Sequence, residues 1–133
     1  MPYLHLNVSS PLNTKKRAEV ATLLTTLTAD VLGKKRELTA VAISTTPDQE
    51  WFIGAQPLSE SQQTSFYLDI KVTEGTNTKN EKAAYVEKVF QGMTAILGTL
   101  AAASYIVIHE VHADSWGYAG QTQEYRYIRG KPL

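Results

Sequence analysis

Pro2 has the greatest chemical potential in this chain, because it stands directly behind Met1 and opens the run Tyr3-Leu4-His5-Leu6-Asn7-Val8. A small residue after Met1 favours removal of the methionine, and removal would leave a secondary amine. Such an amine is basic and nucleophilic, whereas an amide nitrogen is neither, and no internal proline offers one. A free α-amino group titrates at about 8. An apolar pocket or a neighbouring cation disfavours the protonated form and lowers that value, toward the range in which a general base is most effective. Other chemistry is less well supported. His109 and His112 fall on opposite faces if their segment is a strand, and they lack the spacing by which zinc-binding helices present two histidines, so no metal is expected. Thr73-Glu74-Gly75-Thr76-Asn77-Thr78 lacks the glycines and the Gly-Lys-Ser/Thr ending of a phosphate loop. With no cysteine there is no thiolate nucleophile and no disulfide framework.

A base at the chain end is useful only if the following segments tie it down. At 133 residues the chain fits one domain. Its 43% hydrophobic and 20% charged residues are ordinary for a soluble globular protein. Lys+Arg and Asp+Glu balance at 13 each, so no global field points to nucleic acid or a membrane surface. No signal-peptide core or long apolar run is present, and a cytoplasmic location is expected. The sequence repeats itself. Tyr3–Val8 lines up with Tyr67–Val72, Asn13–Lys16 with Asn77–Asn80, Val31–Gly33 with Ile96–Gly98, and Trp51 with Trp116. Two copies are too few for a solenoid and imply one closed unit. The expected organisation is a single domain, 1–133, built from two pseudo-symmetric repeats at about 2–58 and 66–125.

Each repeat reads strand, helix, strand. Tyr3–Val8 alternates, with Leu4, Leu6 and Val8 on one face. A helix is predicted from about Thr14 to Leu32, with Val20, Leu24, Leu27 and Val31 as its inner stripe and Gly33 as a left-handed cap. In the second repeat Thr78 and Glu81 have capping-box spacing; Val86, Phe90, Met93 and Leu97 form the stripe and Gly98 ends the helix. Return strands are predicted at about Thr39–Thr45 and Ser104–Val111. Strand–helix–strand units imply parallel pairing through right-handed crossovers. The predicted fold is α/β (α+β by some schemes): two β-α-β units forming one four-stranded mixed sheet with both helices on one face. The other face would carry Tyr3, His5, Asn7, Ala42, Ser44, Tyr67, Asp69, Lys71, Tyr105, Val107 and His109. That set is too aromatic for a face left in water, so a second subunit is expected to cover it. Trp51 and Trp116 are expected at subunit contacts, and Arg126, Arg129 and Lys131 form a basic tail expected to be solvated.

A proline opening a strand in a duplicated β-α-β chain of this size resembles the tautomerase superfamily. The resemblance is nearest to the fused-repeat branch that includes macrophage migration inhibitory factor, fused decarboxylases and dehalogenases. Leu32-Gly33-Lys34-Lys35 and Leu38-Thr39-Ala40-Val41 resemble that branch's helix end and second strand. Pro47-Asp48-Gln49 with Trp51-Phe52-Ile53-Gly54 resembles its turn and aromatic-Gly segment. Tyr105-Ile106-Val107, Glu110-Val111-His112-Ala113 and Trp116-Gly117-Tyr118 occupy the equivalent places in the second copy.

The resemblance implies an isomerase: a terminal proline acting as general base for keto-enol isomerisation of a small-molecule keto/enol acid, without a cofactor, in a homotrimer whose sites lie between subunits. On this pattern Pro2 is the catalytic residue. Lys34 matches the cation after the helix-ending glycine, as a carboxylate binder, and Tyr105 matches a tyrosine near the proline. Lys71 stands where an apolar pocket residue is usual; it would help hold an acid group, or pair with Asp69 of another subunit, the preferred reading. The arginines of other branches are replaced by Leu12, Ala42 and the Thr73–Thr76 segment, and Val107 replaces an asparagine. These departures favour a monoacid such as an arylpyruvate and disfavour dehalogenation. The alternatives are a non-catalytic ferredoxin-like module binding a small effector, or a superfamily decarboxylase or hydratase. RNA binding would want more Lys and Arg beside the sheet aromatics.

Overall fold

The computed structural model describes residues 2–131; Met1, and with it the question of its removal, lies outside them. The chain runs strand–helix–strand twice. The first passage comprises β1 (Tyr3–Val8), α1 (Thr14–Leu32) and β2 (Ala40–Thr45), then a small hairpin of β3 (Phe52–Ile53) and β4 (Gln56–Pro57), and one helical turn, α2 (Leu58–Ser61). The second comprises β5 (Phe66–Thr73), α3 (Lys79–Leu97) and β6 (Tyr105–Val111), a hairpin of β7 (Gly117–Tyr118) and β8 (Gln121–Thr122), and α4 (Gln123–Arg129). The sheet order is β2-β1-β5-β6. β1 pairs with β2 and β5 with β6 in parallel, and the two halves join through antiparallel β1 and β5. This is the mixed four-stranded sheet anticipated from the alternation pattern.

Alternation decides which face meets the helices. Leu4, Leu6 and Val8 of β1 and Phe66, Leu68, Ile70 and Val72 of β5 are fully buried under α1 and α3. Each such side chain contributes roughly 1.5–3 kcal/mol of transfer free energy. On the other face Tyr3, Tyr67 and Tyr105 remain 43%, 38% and 61% exposed in the single chain.

The helices are turned from the predicted stripes. In α1 the fully or nearly buried positions are Val20, Leu24, Thr28 and Leu32, with Leu27 and Val31 at the flank of the core. In α3 they are Tyr85, Val89 and Met93, while Val86 is exposed. The reason is a polar pair that a hydrophobic stripe omits. The Thr28 hydroxyl donates to the Leu24 carbonyl (2.7 Å) and lies 2.9 Å from the Tyr85 hydroxyl, which satisfies both groups between the helices. Gly92 permits the close approach beside that pair: a Cβ there would lie 2.6 Å from Leu23 Cδ1.

Helix ends follow local chemistry. Asn13 caps α1 by accepting from the Lys16 amide (2.8 Å). The Thr78–Glu81 capping box opens α3, with both reciprocal bonds present. Gly33 closes α1 in the left-handed region at φ 69°. Asn77 Nδ2 donates to the Leu32 carbonyl (2.8 Å), tying the end of α1 to the entry of α3.

Candidate active site

Pro2 is buried, and its carbonyl accepts from the Ala40 amide at 3.4 Å. Tyr3 pairs with Ala40 and with Lys71, so Pro2, one step outward, lies beside Thr39 and Val72. Their neighbours Leu38 and Thr73 line a cleft of about 920 Å³. That volume suits a small organic ligand. The cleft opens between the end of α1, the segment from β5 to α3, and the final helix α4.

Lys34 enters this cleft because Gly33 reverses the chain there; the Lys34 amide donates to the Thr28 carbonyl (3.3 Å). Its Nζ donates to Thr76 Oγ1 at 2.7 Å, and Thr76 Oγ1 donates in turn to the Thr73 carbonyl at 2.6 Å. Burial pulls the Lys34 ammonium below the ordinary lysine value, and the charge of Glu81 partly opposes that shift. Glu81 is held ionised chiefly by the Thr78 backbone amide and secondarily by Asn77. The result is a half-buried cation without an ion pair among the described residues.

The other residues selected from the sequence lie elsewhere in the chain. Lys71 is on the helix-free face of the sheet, bonded to Asp69 of its own chain at 3.3 Å. Asp69 thus already meets Lys71 within one chain. Strand spacing explains it: positions two apart share a face. Asp69 Oδ2 also lies 3.3 Å from His109 Nε2. Tyr105 opens β6 opposite Tyr67, which pairs with Asn7 at the far end of β1 from Pro2. The chain therefore brings Lys34 to the Pro2 end of the sheet, and leaves Lys71 and Tyr105 outside the cleft.

Arg126 is the cleft residue that sequence reasoning missed. Read as part of a solvated tail, it is half-buried and lines the cleft. Its guanidinium stacks 3.7 Å from the centre of the Tyr118 ring, and Nη2 donates to the Tyr118 carbonyl at 3.0 Å. The available signal was the match of Trp116-Gly117-Tyr118 to the first repeat's aromatic-Gly segment, which implied a folded hairpin whose outgoing chain turns back. His112 leaves the end of β6 and pairs through Nδ1 with Glu74 Oε2 at 2.5 Å. His109 thus bonds to a partner different from that of His112. Among the described residues no three His, Cys, Asp or Glu side chains gather as metal ligands, and no helix is long and apolar enough to cross a membrane.

Comparison with known proteins agrees with this architecture. Residues 67–125 match the family model described as tautomerase enzyme. Among solved structures, Pt0534 inactivated by 2-oxo-3-pentynoate superposes with a TM-score of 0.82 at 13% identity, covering 97% of this chain and 99% of that one. The F6 fused 4-OT wild type, an asymmetric trimer, gives 0.81 at 18% identity over 97% and 99% of the two chains. A macrophage migration inhibitory factor-like protein from Entamoeba histolytica gives 0.75 at 19% identity over 91% and 97%. No curated protein matches the sequence.

Proposed function

We propose that the chain is a member of the tautomerase superfamily, whose family model matches residues 67–125, and that it isomerises keto and enol forms of an α-keto acid, with Pro2 as general base once Met1 is removed. The observation that carries this reading is that buried Pro2 lies beside Thr39 and Val72, whose neighbours Leu38 and Thr73 line the cleft that holds Lys34, a half-buried cation without an ion pair among the described residues. The substrate carboxylate takes Lys34 as its counter-ion. The Pro2 amine removes the hydroxyl proton of the enol and delivers it to carbon, or removes a proton from the carbon beside the ketone and delivers it to oxygen. General-base catalysis by Pro2 needs the amine as the free base.

Assembly follows the same premise. The exposed tyrosines of the sheet face need a cover, and fused 4-OT relatives of this fold are trimers. In a homotrimer of this chain the face bearing Tyr105 and Lys71 packs against neighbours. Tyr105 then reaches substrate from a second copy, and Lys71 remains with Asp69 at the interface.

Two measurements test the catalytic assignment. Intact mass before and after 2-oxo-3-pentynoate treatment is expected to show Met1 absent and one reagent molecule added at Pro2. The amine nitrogen bonds to the alkyne carbon remote from the ketone, one alkyne π bond breaks, and the nitrogen's proton moves to the adjacent carbon. Phenylpyruvate ketonisation is expected to fall by about 10²-fold or more in Pro2→Ala, the range for loss of a positioned general base. Equal rates in wild type and Pro2→Ala, or a retained Met1 in active protein, would overturn the reading.

A further inference from the structure

We infer that Thr76 is a positioning residue: its hydroxyl holds the Lys34 ammonium at one point of the cleft and so sets where a substrate carboxylate can sit. This deepens the proposed function and rests on its assignment of Lys34 as the counter-ion. A lysine meets a carboxylate as a point charge on a flexible four-carbon stem, with three donors and no geometry of its own. Another group must fix it, and a carboxylate in that role would cancel the charge that the substrate needs. Lys34 has no carboxylate within ion-pair distance among the described residues. It meets Thr76 Oγ1, a neutral acceptor, at 2.7 Å.

Three observations support the assignment. First, the direction of the bond is fixed. An ammonium only donates, whereas a hydroxyl has one O–H and two lone pairs. The Thr76 O–H is directed to the Thr73 carbonyl at 2.6 Å, which turns a lone pair of Oγ1 toward Lys34. The bond uses one of the three Nζ donors and leaves two for the oxygens of a carboxylate. Second, the turn that carries Thr76 is anchored on both sides without Lys34. Gly75 before it takes the left-handed region at φ 78°. Asn77 after it donates to the Leu32 carbonyl at 2.8 Å, and Thr78 then caps α3. Thr76 is therefore held against the Gly33–Lys34 corner by its neighbours. Third, the matching positions of the first repeat are Leu12, which is buried, and Thr99. That repeat builds its strand–helix connection without such a bond, so the bond belongs to the cleft and not to the fold. It also opposes the burial of Lys34, because an acceptor favours the charged amine.

Two substitutions separate the acceptor from the space it fills. Thr76→Val keeps the shape and loses the oxygen; Thr76→Ser keeps the oxygen. The first readout is an NMR titration of the Lys34 ε-methylene in ligand-free protein, with its signal assigned by Lys34→Met. Thr76→Val should move the midpoint to lower pH, because a bond that favours the charged amine is lost, and Thr76→Ser should leave it in place. The second readout is phenylpyruvate ketonisation. Thr76→Val should raise KM about five- to tenfold with kcat within about twofold, the pattern of a contact shared by ground and transition states. Thr76→Ser should bring KM back to within about twofold of wild type, as a retained acceptor requires. In a Lys34→Met background Thr76→Val should add no further loss, as expected of a residue that acts through that lysine. The NMR titration involves neither Pro2 nor substrate, so it judges Thr76 apart from the proline base; in Pro2→Ala the calorimetric Kd of phenylpyruvate takes the place of KM. Thr76→Ala serves if Thr76→Val does not fold. An unmoved Lys34 midpoint, an unchanged KM, equal damage from Thr76→Ser, or an equal loss in Lys34→Met would overturn the proposal.

Discussion

Two clefts occupy matching places in the two halves of the chain, and they differ in charge. The larger lies beyond the end of β5 and takes in Thr73, Glu74, Lys34 and Arg126. Its counterpart, about 430 Å³, lies beyond the end of β1, where Ser9 and Ser10 take the places of Thr73 and Glu74. Its remaining walls include Asp48, Gln62 and Gln63, and no lysine or arginine. Thr99 follows Gly98 where Lys34 follows Gly33, and Phe66, fully buried, holds the place that Pro2 holds in the other strand. Nearly the same backbone is thus used once with cations beside the proposed Pro2 base, and once with polar groups, an acidic Asp48 and an aromatic plug. A repeated fold reproduces concavity; it does not reproduce chemistry, which resides in a few side chains.

Substitutions can break or sharpen that contrast. The largest effect within it is expected from Lys34→Met, which should lower kcat/KM for phenylpyruvate roughly 10–100-fold, matching loss of a charge-assisted hydrogen bond worth about 1.5–3 kcal/mol. Thr99→Lys, the reciprocal change, should add no activity, because no amine can form at Phe66. Steady-state kinetics on both variants would contradict the contrast if Thr99→Lys raised the rate.

Tyr85→Phe comes next and concerns what joins the halves. It removes the bond to Thr28, which keeps its contact with the Leu24 carbonyl, so urea denaturation should show a loss of about 1 kcal/mol. Burial pushes the Tyr85 phenol up to about 12 from 10.0, the Thr28 bond partly offsetting it. The native state therefore holds that proton more tightly than the unfolded chain, and stability should fall as pH rises from about 10 to about 12. Lys34 acts with the opposite sign: its lowered value means the unfolded chain holds the proton more tightly, so stability rises with pH in the interval below 10.5. Tyr85→Phe should remove the alkaline loss, and Lys34→Met should remove the rise; thermal melts across pH would register both.

The smallest effects belong to the two hairpins. Ala55 and Ala119 sit at φ 63° and φ 51°, where a Cβ is strained. Ala55→Gly and Ala119→Gly should each stabilise by up to about 1 kcal/mol. Only Ala119→Gly, next to Tyr118 and thus to Arg126, should also change acid binding. Equal binding effects from both would argue that the hairpins, and not the cleft residues, distinguish the two halves.

Much of this was legible in the order of residues. Alternation in Tyr3–Val8 and Phe66–Thr73 set the buried face of the sheet, because side chains of a strand point to opposite sides. Gly33, and Thr78 with Glu81, marked helix ends because caps satisfy backbone groups within a few residues. The helix stripes were displaced because Thr28 and Tyr85 are polar residues that become core only by meeting each other across a helix contact. Such a meeting depends on partners 57 positions apart and leaves no local periodicity.

The same division holds at the cleft. Pro2 and Lys34 could be singled out from the residues beside them: a small residue after Met1, and a glycine that ends a helix. Arg126 could not, because its significance depends on a two-residue hairpin folding back to stack it on Tyr118 and on where α4 then lies against Lys34. Short-range physics, namely pairing, alternation and capping, is written along the chain and can be read from it. Which charges share one space is settled by long-range packing, and that exists only once the chain has folded.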